Sequence, residues 1–409
     1  MRRLLLTALL LIATPLSADI RGTVSIDLRN ARLNATLDDD YTAVAEESSV
    51  KLLLHPALEV HKVTCPICGA FKVERNGDDP ATLQIDLTRP LAKGERVVLH
   101  IEYGGSIAAS YQRSEEFLEL GLDDFWYPVN PRIGEIDFRY RLRVHVDEGG
   151  FQLVSNGVVK KTADGWLVTS RVPDIDIDLV LGHHLDTVRE ARNGYDLAIV
   201  TQNLAPAVPK KLLGDMRRVL DFYDSTFGAS SPERAVTGVF RPHVSRDGQG
   251  GYFRKGYFVL PKLVDPGATL PNIAHELAHH WWIHASQQNA WLNESFAEYS
   301  AMMAMRKLRG VEAFRKIVAE KASRVSAAPL PPIYGFDRTK NRRITPLMMY
   351  AKGPLVLNAL EREIGEAKFI HLLRRMVTGN VVDPDHLVVL IGEVASPRVA
   401  ADFLQLLKE

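Results

Sequence analysis

Two histidines and a glutamate at helical spacing are the residues of this chain best suited to chemistry. Residues 275–279 read HELAH inside an apolar pattern typical of a helix. Residues four apart share a helix face, so His275 and His279 can turn their imidazoles, which are good zinc ligands, toward one point. Glu276 would stand beside a water at that metal as its general base. The motif predicts a catalytic zinc site; the alternative is a chance H-E-x-x-H in a helix without a metal.

Two glutamates are candidates for the third ligand. Residues 291–297 read WLNESFA and begin the next predicted helix, with 14 residues between His279 and Glu294. Glu298 follows one helical turn later, so both carboxylates can face the histidine helix. One of them would complete a His₂Glu site with an open fourth position, and the other can hold the far nitrogen of a ligand histidine. The alternative for either glutamate is a solvated charge on the helix surface.

The elements that must position these residues divide the chain into a β-rich first part and a helical last part. Alternating apolar positions between turn signals predict an antiparallel β domain over residues 19–192. Residues 193–409 form a second predicted domain, in which a small mixed α/β segment precedes the helices, and the fold class is therefore α+β multidomain. Near the candidate site we expect a helix over 209–227, strands over 235–240 and 256–260, and helices over 271–284, 293–308 and 346–362.

The first residues, Met1–Ala18, have the layout of a secretory signal peptide. Arg2 and Arg3 precede an apolar run over residues 4–12, and the small pair 17–18 follows. The run is shorter than the roughly 20 residues that a membrane-spanning helix needs, and a membrane anchor is the alternative. We expect an exported protein, periplasmic or extracellular, with no stable membrane span after signal removal.

Composition excludes several classes of protein. The chain has 409 residues, of which 46% are hydrophobic and 24% charged, and this balance is typical of soluble globular domains. It excludes a disordered, collagen-like or polytopic membrane protein. The 50 basic residues equal the 50 acidic residues, which removes the electrostatic argument for a nucleic-acid partner.

Two short clusters lie far from the candidate zinc site. Cys65 and Cys68 are the only cysteines, and in an exported protein they predict a short-loop disulfide. The alternative is a structural metal site, which would need His55 and His61 as further ligands. The run 38–40 is all aspartate and could bind calcium, but it is more typical of an exposed turn.

The HELAH and WLNESFA segments resemble the M1 metallopeptidase family, gluzincins of the aminopeptidase N and leukotriene A4 hydrolase type. The corresponding family motifs are HELAH and WLNEGFA. The resemblance implies a thermolysin-like catalytic domain, Glu294 as the third zinc ligand and Glu298 as the carboxylate behind a ligand histidine. The family usually has 18 residues between the second histidine and the ligand glutamate, where this chain has 14. A four-residue deletion in the loop 283–290 accounts for the difference.

A further match to the family lies downstream. Residues 350–353 read YAKG and resemble the family's Y-x-K-G segment. The resemblance implies that Tyr350 faces the reaction intermediate, where a phenol can donate a hydrogen bond to an oxyanion; the alternative is a core tyrosine. The chain is similar to a short form without the family's long helical C-terminal domain, which implies a more open cleft.

The chain departs from the family where the substrate's free amine is bound. Aminopeptidases of the family carry G-x-M-E-N, whose glutamate binds that amine, roughly 25 to 35 residues before HELAH. Here Gly251 and Tyr252 keep the start of the segment, but Phe253 stands in place of the glutamate and is followed by Arg254 and Lys255. Two cations repel an amine, so we expect a basic subsite that favours an acidic side chain or a free carboxylate.

The sequence therefore predicts an exported zinc metallopeptidase with one Zn²⁺ per chain, a peptide substrate and doubtful aminopeptidase specificity. Glu276 and Tyr350 are its expected catalytic residues. One alternative is a non-catalytic peptide-binding module on the same fold, which would have no need of Glu276. The other is a zinc hydrolase of a non-peptide substrate. No nucleic-acid partner is expected, and the sequence leaves the oligomeric state open.

Overall fold

The computed structural model describes residues 18–107, 114, 116–132, 136–228, 234–243, 250–265, 267–283, 285–338 and 340–409. Apart from Ala18, the predicted signal peptide lies outside the described residues. The chain divides into two compact units. The first lies within Met1–Ile107, Phe125–Asp147 and Lys160–Asp176, and the second within Ala108–Asp124, Glu148–Val159 and Ile177–Glu409. These units follow contact density rather than chain order, so the predicted domain boundary between residues 192 and 193 stays a prediction.

Strands dominate the chain as far as the first helix. They are β1 (Ala18–Asp27), β2 (Arg32–Thr42), β3 (Glu47–Leu54), β4 (Leu58–Thr64), β5 (Cys68–Glu74), β6 (Ala81–Leu91), β7 (Arg96–Ser106), β8 (Phe117–Leu120), β9 (Phe138–Val146), β10 (Gln152–Ser155), β11 (Val158–Thr162), β12 (Gly165–Thr169), β13 (Leu179–Gly182), β14 (Leu185–Arg192) and β15 (Tyr195–Gln202). Among the residues of this part that the structure describes, one 3₁₀ turn, Leu122–Asp124, interrupts the series.

The first unit is built around a seven-stranded sheet in the order β11-β12-β9-β1-β2-β7-β4 and a three-stranded sheet in the order β3-β6-β5. Every second residue of β9 is buried, which is the period-two pattern expected of a strand with one wet face. β1 pairs with β2 in the antiparallel direction but with β9 in the parallel direction. Alternation reports which face of a strand is buried and not the direction of its neighbour, so this one parallel pair had no sequence signal.

The remaining elements follow in chain order. They are α1 (Ala207–Phe227), β16 (Ala235–Phe240), β17 (Tyr252–Arg254), β18 (Tyr257–Leu260), α2 (Leu270–Ala278), a 3₁₀ turn (Gln287–Asn289), α3 (Ala290–Arg309), α4 (Val311–Ser326), α5 (Thr345–Leu347), a π-helical turn (Met348–Lys352), α6 (Gly353–Ile364), α7 (Glu366–Gly379), α8 (Pro384–Val394) and α9 (Pro397–Lys408). The predicted order of a β-rich part followed by a helical part is confirmed.

The second unit contains a five-stranded sheet in the order β14-β15-β16-β18-β17, with β17 at its edge. Buried apolar residues of α1, α2, α3, α6 and α7 pack into one core together with residues of β15, β16, β17 and β18. This core holds α2 and α3 beside the edge of the sheet that ends in β17. Among the described residues, none of the helices combines the length and the apolar character needed to cross a membrane.

Helix α2 ends earlier than its apolar pattern predicts. The pattern suggests a helix over 271–284, but α2 ends at Ala278 because the next amides bond three residues back, with the amide of His279 donating to the carbonyl of Glu276 at 3.2 Å and that of Trp281 to Ala278 at 2.9 Å. Such 3₁₀ bonds tighten a last helical turn. His279 keeps helical φ and ψ of −63° and −12°, so it still shares a face with His275.

The predicted helix over 346–362 is interrupted by the π-helical turn Met348–Lys352. In this turn the amide of Gly353 donates to the carbonyl of Met348, five residues back. π-Helical turns inside helices occur often at functional sites. The turn contains Tyr350, the residue that the family resemblance places at the reacting atoms.

Cys65 and Cys68 form a disulfide between β4 and β5, with an S–S distance of 2.07 Å. With both sulfurs in the bond, neither thiol is available to the structural metal site considered as an alternative. The three aspartates at 38–40 lie in β2 rather than in an exposed turn, and Asp39 is buried. The strand alternation directs Asp39 inward, which overrides the preference of aspartate for turns.

Candidate metal centre

Helices α2 and α3 bring three ligand atoms together. His275 Nε2 lies 3.5 Å from Glu294 Oε2, and His279 Nε2 lies 3.8 Å from the same oxygen. Tetrahedral zinc with bonds of about 2.0–2.2 Å needs ligand atoms about 3.4 Å apart, so the donor set fits this ion. Within the described part of the chain, this is the single group of His, Cys, Asp and Glu side chains found with a metal-binding arrangement.

The far ring nitrogens of both histidines face oxygen acceptors. His275 Nδ1 lies 2.9 Å from Glu298 Oε2, and His279 Nδ1 lies 2.9 Å from the carbonyl oxygen of Trp282. A histidine that donates its Nδ1 proton presents a lone pair at Nε2, which is the nitrogen directed toward Glu294 in both cases. The short end of α2 contributes here, because the turn after Ala278 brings the Trp282 carbonyl back to His279.

Glu276 lies in the interior, beside the segment that leads into β17. Only 6% of its surface is exposed, and a Cβ added to Gly251 would lie 2.5 Å from Glu276 Oε1, so glycine is required for this approach. Burial raises the pKa of the Glu276 carboxyl to about 7. A carboxylate whose pKa lies near the operating pH is well matched to the work of a general base.

Tyr350 packs against the same histidine that contacts Glu298. The ring centroids of Tyr350 and His275 are 5.5 Å apart in an edge-to-face arrangement. Burial, followed by the nearby Glu294 carboxylate, raises the pKa of the Tyr350 phenol. The phenol therefore keeps its proton, and the Glu294 carboxylate accepts a hydrogen bond from it.

The edge strand β17 carries the residues expected to contact substrate. The Phe253 ring packs on the side chain of His279, with centroids 5.9 Å apart. Tyr252 donates from its hydroxyl to the buried carboxylates of Glu119, at 3.0 Å, and of Asp178. The structure thus places Gly251 beside the Glu276 carboxylate and engages the polar end of Tyr252 elsewhere.

Arg254 and Lys255 differ in their surroundings. Arg254 is only 7% exposed, and its Nη1 donates to the carbonyl of Phe253 at 2.8 Å. Its positive charge opposes the rise in the Glu276 pKa, which places that charge in the neighbourhood of the candidate base. Lys255 lies half-buried in the turn between β17 and β18. Of the two cations, Arg254 is the one buried close to the metal centre.

Two buried basic residues contact the site without any sequence signal. Arg241 forms a two-point ion pair with Glu119, at 2.8 and 2.7 Å, and donates to the carbonyl of Gly250 at 2.9 Å, which holds the approach to β17. Lys321 donates to Glu298 Oε1 at 2.5 Å. Neither residue lies in a recognisable motif, since each is brought to the site by an element distant in sequence.

The histidines at the end of α2 and the carboxylate of α3 thus form one candidate metal centre. Residues 268–393 match the family model described as the Peptidase family M1 domain. The matched range contains the HELAH segment, both candidate glutamates and Tyr350, so the M1 resemblance of these segments is confirmed. No curated protein matches the chain.

Solved structures of M1 zinc metallopeptidases share the fold. The enzyme from Deinococcus radiodurans is 18% identical, covers 96% of this chain and 93% of its own length, and superposes with a TM-score of 0.74. A mutant from the same organism bound to a Tyr-Ser-Ala substrate is 19% identical, with coverages of 96% and 93% and a TM-score of 0.73. A two-domain M1 mutant bound to L-arginine is 17% identical, with coverages of 96% and 94% and a TM-score of 0.74.

The domain match and the shared fold agree on one conclusion. Residues 268–393 form an M1 peptidase domain, and the predicted peptidase class is confirmed for this domain. The solved structures that share the fold are described as zinc metallopeptidases. Two histidine nitrogens and one carboxylate oxygen are a donor set suited to zinc.

Proposed function

We propose that this chain hydrolyses peptide bonds with one zinc ion held by His275, His279 and Glu294, with Glu276 as the general base. The observation that carries the proposal is the approach of Glu294 Oε2 to both histidine Nε2 atoms, at 3.5 and 3.8 Å. The M1 domain match over residues 268–393 supports the same function. Solved neighbours bound to Tyr-Ser-Ala and to L-arginine support peptides as the substrate class.

Each side chain has a distinct part in the proposed reaction. A bound zinc ion would lower the pKa of a water to about 7 and polarise the peptide carbonyl. Glu276 takes the proton from the attacking water and delivers it to the leaving amine. Tyr350 donates its phenolic proton in a hydrogen bond to the oxygen that gains negative charge. Glu298 and the Trp282 carbonyl keep the two histidines oriented throughout.

The first test is the substitution Glu276→Gln in the zinc-loaded protein. Glutamine preserves the size of the side chain but cannot accept the proton, so kcat should fall by at least about 100-fold while zinc content stays at one per chain. The measurement is cleavage of a mixed peptide library followed by mass spectrometry, with zinc measured on the same samples.

An exposed carboxylate supplies the matched control. Glu312 lies at the start of α4 and pairs on the surface with Arg315, so Glu312→Gln should leave both cleavage and zinc content unchanged. If the fully zinc-loaded wild type cleaves no peptide in the library, the peptidase proposal is wrong. A non-catalytic binding module or a hydrolase of a non-peptide substrate would then replace it.

The proposed specificity follows from the departure in β17. Phe253 occupies the position of the amine-binding glutamate, and its ring lies against His279. Arg254 adds a buried positive charge near Glu276. Phe253 supplies no carboxylate to pair with an α-ammonium group, and the Arg254 cation repels one, so the cleft should favour a peptide with an acidic side chain or a free carboxylate beside the scissile bond.

Export to the periplasm or the extracellular space is also part of the proposal. Its support is the sequence of Met1–Ala18, with Arg2 and Arg3 before an apolar run. The mature protein should begin at Asp19 when it is purified from the exporting cell. An intact mass that retains Met1–Ala18 would contradict cleavage at this site.

A further inference from the structure

A buried lysine of α4 connects two parts of the metal centre. Lys321 is 7% exposed, and its Nζ donates to Glu298 Oε1 at 2.5 Å and to the carbonyl oxygen of Tyr350 at 2.6 Å. Glu298 contacts the ligand histidine His275, whereas Tyr350 lies in the π-helical turn. The ammonium group of Lys321 therefore links Glu298, which contacts His275, to the backbone of Tyr350.

The carbonyl of Tyr350 lacks the backbone donor that a regular α-helix would supply. In an α-helix the donor would be the amide of the residue four positions later, and that residue is Pro354, which has no N–H. A carbonyl that loses its backbone donor in a packed interior needs another donor. The ammonium of Lys321 donates to this carbonyl from the neighbouring helix.

The preceding carbonyl is supported in the same way. The amide of Gly353 donates to Met348 instead of Met349, so the Met349 carbonyl has lost its α-helical donor as well. Ser295 Oγ, fully buried in α3, donates to it at 2.9 Å. A Cβ at Gly353 would lie 1.9 Å from Ser295 Oγ, so glycine is required there. Both side chains that support the π-helical turn, Ser295 and Lys321, come from outside it.

The second partner of Lys321 is the side chain of Glu298. Glu298 lies between two donors, His275 on one side and Lys321 on the other. Its two oxygens are divided between these partners, Oε2 to His275 and Oε1 to Lys321. Removal of the ammonium would release one oxygen and with it the orientation of the carboxylate.

We propose that Lys321 is a positioning residue, which sets the phenol of Tyr350 and the imidazole of His275 relative to each other through the Tyr350 carbonyl and Glu298. Loss of Lys321 should weaken zinc binding because it releases Glu298 and with it His275. It should lower kcat because it displaces the Tyr350 phenol, and this second effect rests on the proposed peptidase function. Lys321 touches neither the substrate nor the ligand set. Partners at this distance from a metal typically change its affinity by 10- to 100-fold.

The experiment compares Lys321→Met with Lys316→Met in the full-length protein. Methionine keeps an unbranched side chain that is one atom shorter and carries no charge, and Lys316 is an exposed lysine of the same helix. For Lys321→Met we expect zinc to dissociate about 10-fold more readily in a competition with a fluorescent chelator. Amide exchange in peptides covering 348–354 should accelerate at least about 10-fold, and Lys316→Met should change neither quantity.

Turnover at saturating zinc tests the Tyr350 side. Lys321→Met should lower kcat about 10- to 100-fold with KM changed by less than about 3-fold, since the oxyanion contact exists only in the transition state. In a Tyr350→Phe background the same substitution should lower kcat by less than about 3-fold, because the phenol that it positions is already absent. A purely structural lysine would give the same loss in both backgrounds.

A second variant covers the case in which Lys321→Met fails to fold. Lys321→Ala leaves a cavity of the shape of n-propylammonium, so millimolar n-propylammonium should restore zinc affinity and slow exchange in 348–354, while n-propanol should not. Equal rescue by both additives, or zinc affinity and exchange equal to those of Lys316→Met, would overturn the proposal. If the wild type cleaves no peptide, the peptidase function fails, and the zinc and exchange measurements still decide the role of Lys321.

Discussion

At the scale of single residues, the geometry of the candidate metal centre depends on the groups that contact each functional side chain. The Nε2 atoms of His275 and His279, the proposed zinc ligands, are directed by acceptors on the opposite ring nitrogens, one a side chain and one a backbone carbonyl. Glu276 has Gly251 beside it because any side chain there would meet its carboxylate. Residue type and immediate contact together decide what each group can do.

A single residue, Arg254, is expected to determine the preference for acidic over neutral peptides. Arg254→Met removes the buried charge near Glu276 and should lower the ratio of kcat/KM for acidic over neutral peptides about 10-fold, equivalent to roughly 1.4 kcal/mol. Lys255→Met is the matched control, and because Lys255 is partly solvated its effect should stay below about 3-fold. Competition between paired peptides in one reaction measures the ratio. An unchanged ratio in Arg254→Met would remove the basic subsite from the proposed function.

At the scale of elements, local irregularities position the chemistry more than regular helix does. Helix α2 tightens after Ala278, which brings the Trp282 carbonyl to His279. The π-helical turn Met348–Lys352 shifts the backbone around Tyr350 and frees carbonyls that α3 and α4 satisfy. Both irregularities lie within helices that the apolar pattern alone predicts to be continuous.

Strand β2 of the first unit carries a buried carboxyl, that of Asp39, whose raised pKa should make the stability of the fold depend on pH. Asp39 points inward, and burial followed by the charge of Asp40 raises its pKa from 3.8 to about 7. A carboxyl whose folded pKa is raised stabilises the fold below its unfolded pKa, and this stability is lost as pH rises from about 4 to about 7. Asp39→Asn removes the titration, so it should stabilise the protein at pH 8 relative to pH 4.

The expected size of this difference is at most about 4 kcal/mol, since one pKa unit corresponds to about 1.4 kcal/mol. Urea unfolding of wild type and variant at the two pH values measures it. Asp78→Asn is the control, because Asp78 is exposed in the turn between β5 and β6, and its effect on the free energy of unfolding should stay below about 1 kcal/mol at both pH values. Equal effects at pH 4 and pH 8 would show that Asp39 does not titrate in this range.

At the scale of the whole molecule, zinc and folding should be linked. His275, His279 and Glu294 all belong to the second unit, on two helices that pack together in its core. An ion bound only by the folded chain stabilises it by about 4 kcal/mol when its free concentration is about 1,000 times its dissociation constant. Removal of zinc with a chelator should therefore lower the unfolding temperature measured by calorimetry.

Substitution of a ligand distinguishes this linkage from a general effect of the chelator. Glu294→Gln should reduce the zinc-dependent shift in unfolding temperature by more than half, whereas the exposed control Glu312→Gln should keep the full shift. A chelator effect of equal size in wild type and Glu294→Gln would contradict the proposed ligand set. The apo form of each variant serves as its own reference.

The histidine spacing and the longer helices could be predicted from the sequence because they depend on residues close together in the chain. The four-residue spacing of His275 and His279 and the position of Glu276 are properties of a single helix, so HELAH indicates them without a fold. Long amphipathic segments such as α1, α7, α8 and α9 follow from apolar periodicity because packing reinforces what the pattern predicts. The M1 resemblance came from two such local segments and a tyrosine.

The orientation of the two glutamates and the contacts of the buried cations could not be predicted in this way, because they depend on residues far apart in the chain. From the residues alone either glutamate could be the ligand, and only the M1 resemblance favoured Glu294. The packing of α3 on α2 turns Glu294 toward Nε2 of both histidines and Glu298 toward Nδ1 of His275. Lys321 and Arg241 carry no motif, because their roles arise from which buried oxygens they meet. A buried polar group takes its function from the partners that packing supplies, and those partners are not adjacent in sequence.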